Sequence, residues 1–348
     1  MGFSVEQIRL SAFQFSQRFI EPKEREAFRS RVLSVSEDLP GGFVTNGLLY
    51  TLVDDTPLGH RYNDWLTTSV TRLGLGYNHY QLPVHSKTIR VINLGGNNIE
   101  SLNTEIDCLR EGVVDNSAVL IKGVPIANLD REILHIASRL GEPFVEANEN
   151  SDLIQNIRPK LDLAHSQTSA SSLAPLLDHV ENAGTDNVPD WVIIGCVQNT
   201  EGAETTVLHP VKAMYAMAKD GFYKEIALLW DKKFWVKEPE SFGGLREKKQ
   251  GLSVFSESPI HPNVMADFAD MGSDSSEHAR AYELFREYCG RVRESICLEA
   301  GDILALRNTG SNKPYLYQQS MHGRGKFRAD PIPGKERHLK RTFVRQVA

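Results

Sequence analysis

Apolar and polar positions recur with two different periods along this chain. After Asp130, residues Ile133, Ile136, Ala137 and Leu140 fall at i, i+3, i+4 and i+7, the stripe of an amphipathic helix. Asp130 reads as its N-cap, and Gly141 with Pro143 as its stop. A second helix is expected over Val211 to Ala218. A third is expected at about 275–296, with Ala279, Tyr282, Phe285, Cys289, Val292 and Ile296 on its core side. Helical spacing also marks about residues 5–35, before Pro40-Gly41-Gly42. Between these lie short β-rich runs: Trp191 to Val197, Leu252 to Phe255, Asp302 to Leu306 and Arg341 to Val344. Turn clusters such as Asn199-Thr-Glu-Gly202 separate them. Several short strands with helical excursions predict a mainly β fold with flanking helices, built on a double-stranded β-helix or jelly-roll core. The expected organisation is an N-terminal helical and irregular segment, 1–110, packed on a jelly-roll domain, 111–348. That domain carries a lid-like insertion at about 208–262, rich in charge and holding Gly243-Gly244, and a helical insertion at about 275–296.

One short motif brings chemistry into this frame. In a strand, residues i and i+2 point to the same face, so His179 and Glu181 can reach one metal ion while Val180 points into packing. A second histidine, His322, stands far downstream in Met-His-Gly-Arg-Gly-Lys-Phe. Two imidazoles and one carboxylate form the facial ligand set that holds non-haem Fe(II) and leaves coordination positions open. Past His322, Arg337, Arg341 and Arg345 follow at intervals of four. Arginine pairs bidentately with carboxylates, so this row suits a dicarboxylate cosubstrate.

The same residues carry a family resemblance. Ser117 to Pro125, Leu153-Ile-Gln-Asn-Ile-Arg-Pro159, Leu177 to Ala183, Ala203 to Val207, Gly301-Asp-Ile-Leu304 and His322-Gly-Arg-x-x-Phe327 occur in the order of the clavaminate synthase-like Fe(II)/2-oxoglutarate oxygenases. That branch lies within the TauD-related superfamily, and the chain resembles it over about residues 115–348. The resemblance implies that His179, Glu181 and His322 bind Fe(II). It implies that Arg337 pairs with the distal carboxylate of 2-oxoglutarate, with Thr205 helping and Thr206 as its rival. Gln155 and Glu181 match positions that receive the α-amine of an amino acid. Arg341 matches one that contacts its acidic group. Asp267 matches an acid facing a polar or cationic side chain, with Asp270 and Asp274 as neighbours. His165, His209 and His338 are expected not to be ligands. Two departures stand out: Val180 replaces a polar middle residue, and the stretch from Asn308 to His322 is longer than the family's short link. The implied activity is O2-dependent hydroxylation of an L-amino acid at C3 or C4, free or bound to a carrier protein. A desaturase or cyclase on an amino-acid derivative, or a TauD-like oxygenase on a sulfonate, is the alternative. A carboxylate at position 181 speaks against halogenation.

Bulk properties narrow the class little. The chain has 348 residues, 41% hydrophobic and 24% charged, with net charge −6. That composition is ordinary for a globular protein, and the mild acidity argues against a nucleic-acid partner. Four cysteines without C-x-x-C spacing read as reduced thiols of a cytoplasmic protein, and neither a signal peptide nor a membrane-spanning run is expected.

Overall fold

The computed structural model describes residues 2–4, 16, 20–30, 43–45, 88–94, 99–110, 116–146, 152–238, 248–257, 262–309, 319–329, 332 and 334–346. Gly243-Gly244 and the long link at 310–318 lie outside the described residues, as does most of the 5–35 stretch. In chain order the elements used below are β1 (Ile89–Asn93), α1 (Ile99–Arg110), β2 (Ala118–Lys122), α2 (Leu129–Leu140), β3 (Glu142–Phe144), β4 (Gln155–Ile157), β5 (Leu176–His179), β6 (Trp191–Gln198) and β7 (Glu204–Leu208). They continue as α3 (Pro210–Lys219), α4 (Tyr223–Leu228), β8 (Phe234–Lys237), β9 (Lys248–Leu252), β10 (Phe255–Glu257), β11 (Pro262–Val264), β12 (Met271–Ser273) and α5 (Ser276–Val292). The last four are β13 (Glu294–Cys297), β14 (Ile303–Arg307), β15 (Met321–Arg324) and β16 (His338–Arg345).

Two sheets form the centre. The larger runs β1-β2-β14-β6-β16-β3, with β4 also paired to β16. All its pairings are antiparallel except β1 with β2. The smaller runs β13-β7-β15-β5. Alternation along each strand sorts side chains between two environments. Val192, Ile194 and Cys196 of β6, Leu304 and Leu306 of β14, and Leu339 and Phe343 of β16 meet Val207 of β7 in a core shared by the two sheets. On the other face of the larger sheet, Trp191, Ile193, Ile303 and Ala305 pack against α1 and α2. Strands buried on both faces read as continuous apolar runs, which is why Trp191 to Val197 shows no polar alternation. Gly195 sits where a Cβ would come within 2.6 Å of Ile133 Cδ1, so its missing side chain lets α2 lie close on β6.

Several expectations shift. The α2 helix begins at Leu129 with Asn128 as its N-cap residue, so Asp130 lies inside the first turn. There it meets Lys340 at 2.6 Å. The Leu252 to Phe255 run is two strands, β9 ending at Leu252 and β10 starting at Phe255. Residues 208–262 hold buried helices: Val211, Met214, Met217 and Ala218 of α3 and Ile226 of α4 pack with Phe285 and Cys289 of α5. The α5 helix stops at Val292, and Ile296 belongs to β13. Ile296 packs into the core between the sheets, so its apolar character follows the period of a strand, not the stripe of a helix. Residues 89–93 are part of the larger sheet through their parallel ladder with β2. No helix among the described residues is long and apolar enough to cross a membrane.

Arg307 joins the N-terminal part to this frame. It is almost fully buried, and its Nη2 donates to the final carbonyls of α1, Leu109 O at 2.9 Å and Arg110 O at 2.8 Å. Its guanidinium also stacks 4.1 Å from the Trp191 ring centroid. A cation at a helix C-terminus is favourable twice, through orphan carbonyls and through the helix dipole. Arg307→Leu should therefore lower unfolding free energy by about 2–3 kcal/mol. The check is the urea midpoint of unfolding.

Candidate active site

The site begins with strand pairing. On β15, His322 lies directly opposite His179 of β5 and Val207 of β7. Side chains paired across a ladder share a face, so both imidazoles point into the space between the sheets. Their ring centroids are 4.6 Å apart. Asp178 and Val180 point the other way. Val180 is buried in the outer core, as expected of the middle residue. His179 Nδ1 meets the Leu177 carbonyl at 2.8 Å, which leaves Nε2 for the site. Glu181 Oε2 lies 3.2 Å from His322 Nε2 and 3.9 Å from His179 Nε2. The donor atoms of His179, Glu181 and His322 all lie within 4.8 Å of one another, the one such His/Cys/Asp/Glu group among the described residues. Burial works against the Glu181 charge, but the two imidazoles outweigh it and hold the carboxyl down at about 2. Its Oε2 is buried and makes no hydrogen bond, an orphaned acceptor aimed between two imidazole nitrogens. Such a donor set fits a divalent cation.

Beside this cluster lies a cavity lined by Thr205, His322, Arg324, Arg337 and Arg341. Thr205 faces the cavity. Thr206, one residue on, donates from Oγ1 to Asp178 at 2.6 Å on the outer side of the sheet. Alternation thus separates the two rivals. Arg337 is buried, its Nε makes no hydrogen bond, and no carboxylate among the described residues lies within ion-pair distance of it. Burial pushes its guanidinium down to about 10. Arg324 is held likewise near about 10, by burial and by the charge of Arg337. It donates to Ser171 Oγ and to the carbonyls of Ala174 and Gly325, and to no carboxylate among the described residues. Two buried cations facing one cavity fit an anionic occupant.

The adjoining cavity is lined by Gln167, His179, Glu181, Asn182, Asp267 and Asp270, with Arg341 at its floor. Arg341 lies opposite Gln155 in the β16–β4 ladder. It donates to Gln155 Oε1 from Nε at 2.9 Å and Nη2 at 2.7 Å, and to Glu181 Oε1 from Nη1 at 3.1 Å. Gln155, Glu181 and Arg341 are therefore one network. Asp274 is elsewhere, accepting from Trp235 Nε1 on the surface, and Arg345 is exposed at the far end of β16 over the Phe144 ring. His165, His209 and His338 do not join the cluster.

No protein-family profile matches the chain. A curated relative, L-lysine 3-hydroxylase of Catenulispora acidiphila, is 29% identical over 209 residues, covering 57% of this chain and 53% of the relative. The match thus spans about half the length of that relative. Among solved structures, an asparagine oxygenase in complex with Fe(II), 2S,3S-3-hydroxyasparagine and succinate superposes with a TM-score of 0.62 at 19% identity, over 90% of this chain and 91% of that one. The non-haem iron oxygenase OrfP, in complex with Fe, succinate and (3S)-hydroxy-L-Arg, gives a TM-score of 0.58 at 20% identity, over 71% of this chain and 82% of its own. The chain has the fold of these iron oxygenases, and it resembles the clavaminate synthase-like branch on which its motifs align.

The supporting roles of two residues escaped the sequence reading. Gly323 follows His322 because a Cβ there would meet Leu176 O at 2.7 Å and Asp178 Oδ1 and Thr206 Oγ1 at 2.8 Å. Asn308 holds Glu181 from 127 positions away. Its Oδ1 accepts from the Glu181 N–H at 2.7 Å, and its Nδ2 donates to the carbonyls of Glu181 at 3.1 Å and Pro189 at 2.8 Å. No local pattern marks it. Asn308→Ala should strand three buried backbone groups and weaken metal binding about 10- to 100-fold. Anaerobic Fe(II) titration reads the second effect, and a thermal melt confirms that the variant is folded during the titration.

Proposed function

We propose that this protein is an Fe(II)/2-oxoglutarate-dependent oxygenase that hydroxylates an L-amino acid with a basic or polar side chain. The carrying observation is the His179–Glu181–His322 cluster standing beside a buried Arg337 that has no carboxylate partner among the described residues. In this reading the two facing sheets are the double-stranded β-helix, or jelly roll, and the site opens between them. His179, Glu181 and His322 would hold the iron, and the cavities beside them would receive cosubstrate and substrate. Iron and 2-oxoglutarate, when bound, supply the oxidising power for C–H hydroxylation.

The chain's own part is to bind, orient and exclude water. Arg337 pairs with the distal carboxylate of 2-oxoglutarate, and the Thr205 hydroxyl adds a donor from the neighbouring strand. The α-ammonium of the substrate sits between the oxygens of Gln155 and Glu181, and its carboxylate meets Arg341. That network is assembled before substrate arrives, so little side-chain freedom is lost on binding. Asp267 and Asp270 line the outer part of the same cavity and match a cationic side chain such as that of lysine or arginine. The names of the relatives agree with this direction, since a lysine hydroxylase and an oxygenase bound to hydroxyarginine are among them.

The first expected outcome is spectroscopic. With Fe(II) and 2-oxoglutarate under anaerobic conditions, the protein shows the weak visible charge-transfer band of the chelate, and His179→Ala or His322→Ala abolishes it. Retention of the band in both variants would overturn the ligand assignment. The second concerns Arg337. Removing one partner of a buried charge pair costs about 2–5 kcal/mol. Arg337→Ala should therefore raise the 2-oxoglutarate concentration for half-maximal turnover by more than tenfold. A substrate panel completes the test: succinate formation with lysine, arginine or asparagine supports the reading, whereas turnover only with a sulfonate sinks it.

A further inference from the structure

We propose that Tyr282, on α5 and outside the reacting groups, is the positioning residue that sets the substrate-selecting turn Asp267–Asp270 against the metal strand. The substrate role rests on the amino-acid oxygenase reading above, while the clamp itself rests on geometry alone.

The segment 265–270 lies beside β5 as a single bridge, His179 opposite Asp267. The flanking bonds are Val180 N–H to Ala266 O at 2.8 Å and Phe268 N–H to Asp178 O at 3.2 Å. His179 and Asp267 are thus a non-hydrogen-bonded antiparallel pair. Two consequences follow from that geometry. The side chains of such a pair stand closer than those of a hydrogen-bonded one, so the Asp267 carboxylate lies beside the His179 imidazole. The N–H and C=O of Asp267, meanwhile, turn away from β5 and need partners elsewhere.

Tyr282 supplies them. Its hydroxyl accepts from the Asp267 N–H at 3.1 Å and donates to the Asp267 carbonyl at 2.8 Å. The carbonyl has a second donor, the Met271 N–H at 3.0 Å; among the described residues the N–H has only Tyr282. The ring is buried at 3% exposure, with ring centroids of Phe268 and Phe234 at 5.5 and 5.9 Å. Burial holds the phenol protonated, its pKa well above the ordinary value, so the donor bond persists at all working pH. The turn is shaped from inside as well: Asp267 Oδ1 accepts from the N–H groups of Ala269 at 2.8 Å and Asp270 at 3.0 Å. A helix therefore fixes the main chain, the side chain fixes the turn, and both acidic residues are delivered to one wall of the substrate cavity.

Tyr282→Phe keeps the ring and its packing and removes only the hydroxyl. In the wild-type protein the Asp267 amide should be protected from hydrogen exchange, and in Tyr282→Phe the 265–271 fragment should exchange faster while the rest of the chain is unchanged. With the best basic amino acid, KM for that substrate should rise roughly tenfold, with KM for 2-oxoglutarate and the anaerobic chelate band unchanged. Hydroxylated product per succinate should fall, because a misplaced C–H bond lets cosubstrate turnover run uncoupled. An unprotected Asp267 amide in the wild type overturns the clamp. Faster exchange with unchanged KM and coupling overturns the substrate role. If the wild-type protein turns over no amino acid at all, the functional reading falls, and the exchange experiment still decides the clamp.

Discussion

Everything at the centre of this protein is arranged around one buried carboxylate. An isolated ionised carboxylate in an apolar interior costs far more than a fold's net stability, so Glu181 depends on the charges and donors placed around it. Oε1 takes Arg341, Oε2 faces two imidazoles, and Asn308 holds the peptide on either side. These partners come from β16, β15, β5 and the end of β14. The two sheets cannot slide or separate without exposing the charge. The same demand that gives the site its donor set thus also locks the relative position of the strands that carry it.

The legible part of the site is its local part. The i, i+2 spacing of His179 and Glu181 is a statement about a strand face; β5 ends at His179 and Glu181 opens the turn that follows, yet both side chains reach one cluster with His322. The four-residue spacing of Arg337 and Arg341 likewise brings both to the same cavity, because they straddle the start of one strand. Thr205 against Thr206 was open because alternation says that the two differ in face but not which face is inward. That choice is set by the pairing of β7 with β15, which no local window contains. The bonds of Asn308 and Tyr282 were invisible for the same reason: each acts on a backbone group distant in sequence, and the residue type carries no mark of its partner. Ile296 shows the opposite error. An apolar residue four past Val292 continues a helical stripe by arithmetic, yet Arg293 is already extended and the chain has become a strand.

The insertion at 208–262 teaches a related point. Its charge and paired glycines suggested a mobile cover; that stretch lies outside the described residues, and beside it α3 and α4 pack their apolar side chains with α5. This second core, on the outer face of the smaller sheet, backs the metal strand: Val180, Leu208 and Met321 all point into it. Residues directly adjacent to His179, Glu181 and His322 are therefore anchored on one side while the ligands project on the other. A site placed on strands with packed neighbours on both faces is held to tighter geometry than one placed on loops.

Charge explains how the two cavities differ. Arg341 has its counter-charge in Glu181, and the cavity it shares with Asp267 and Asp270 carries more acidic than basic groups. Arg324 and Arg337 face the other cavity, where the one acid is the same Glu181, already committed to Arg341. Arg324 is supported by hydroxyl and carbonyl oxygens, which meet its hydrogen bonds but not its charge. A wall lies between a region that favours cations and a region that favours anions, and the Glu181–Arg341 pair is that wall. A zwitterionic amino acid with a cationic side chain and a dianionic keto acid would each be drawn to its own side and opposed on the other. In the proposed reading, the polarity of this one buried ion pair would favour one ligand on each side of the cluster.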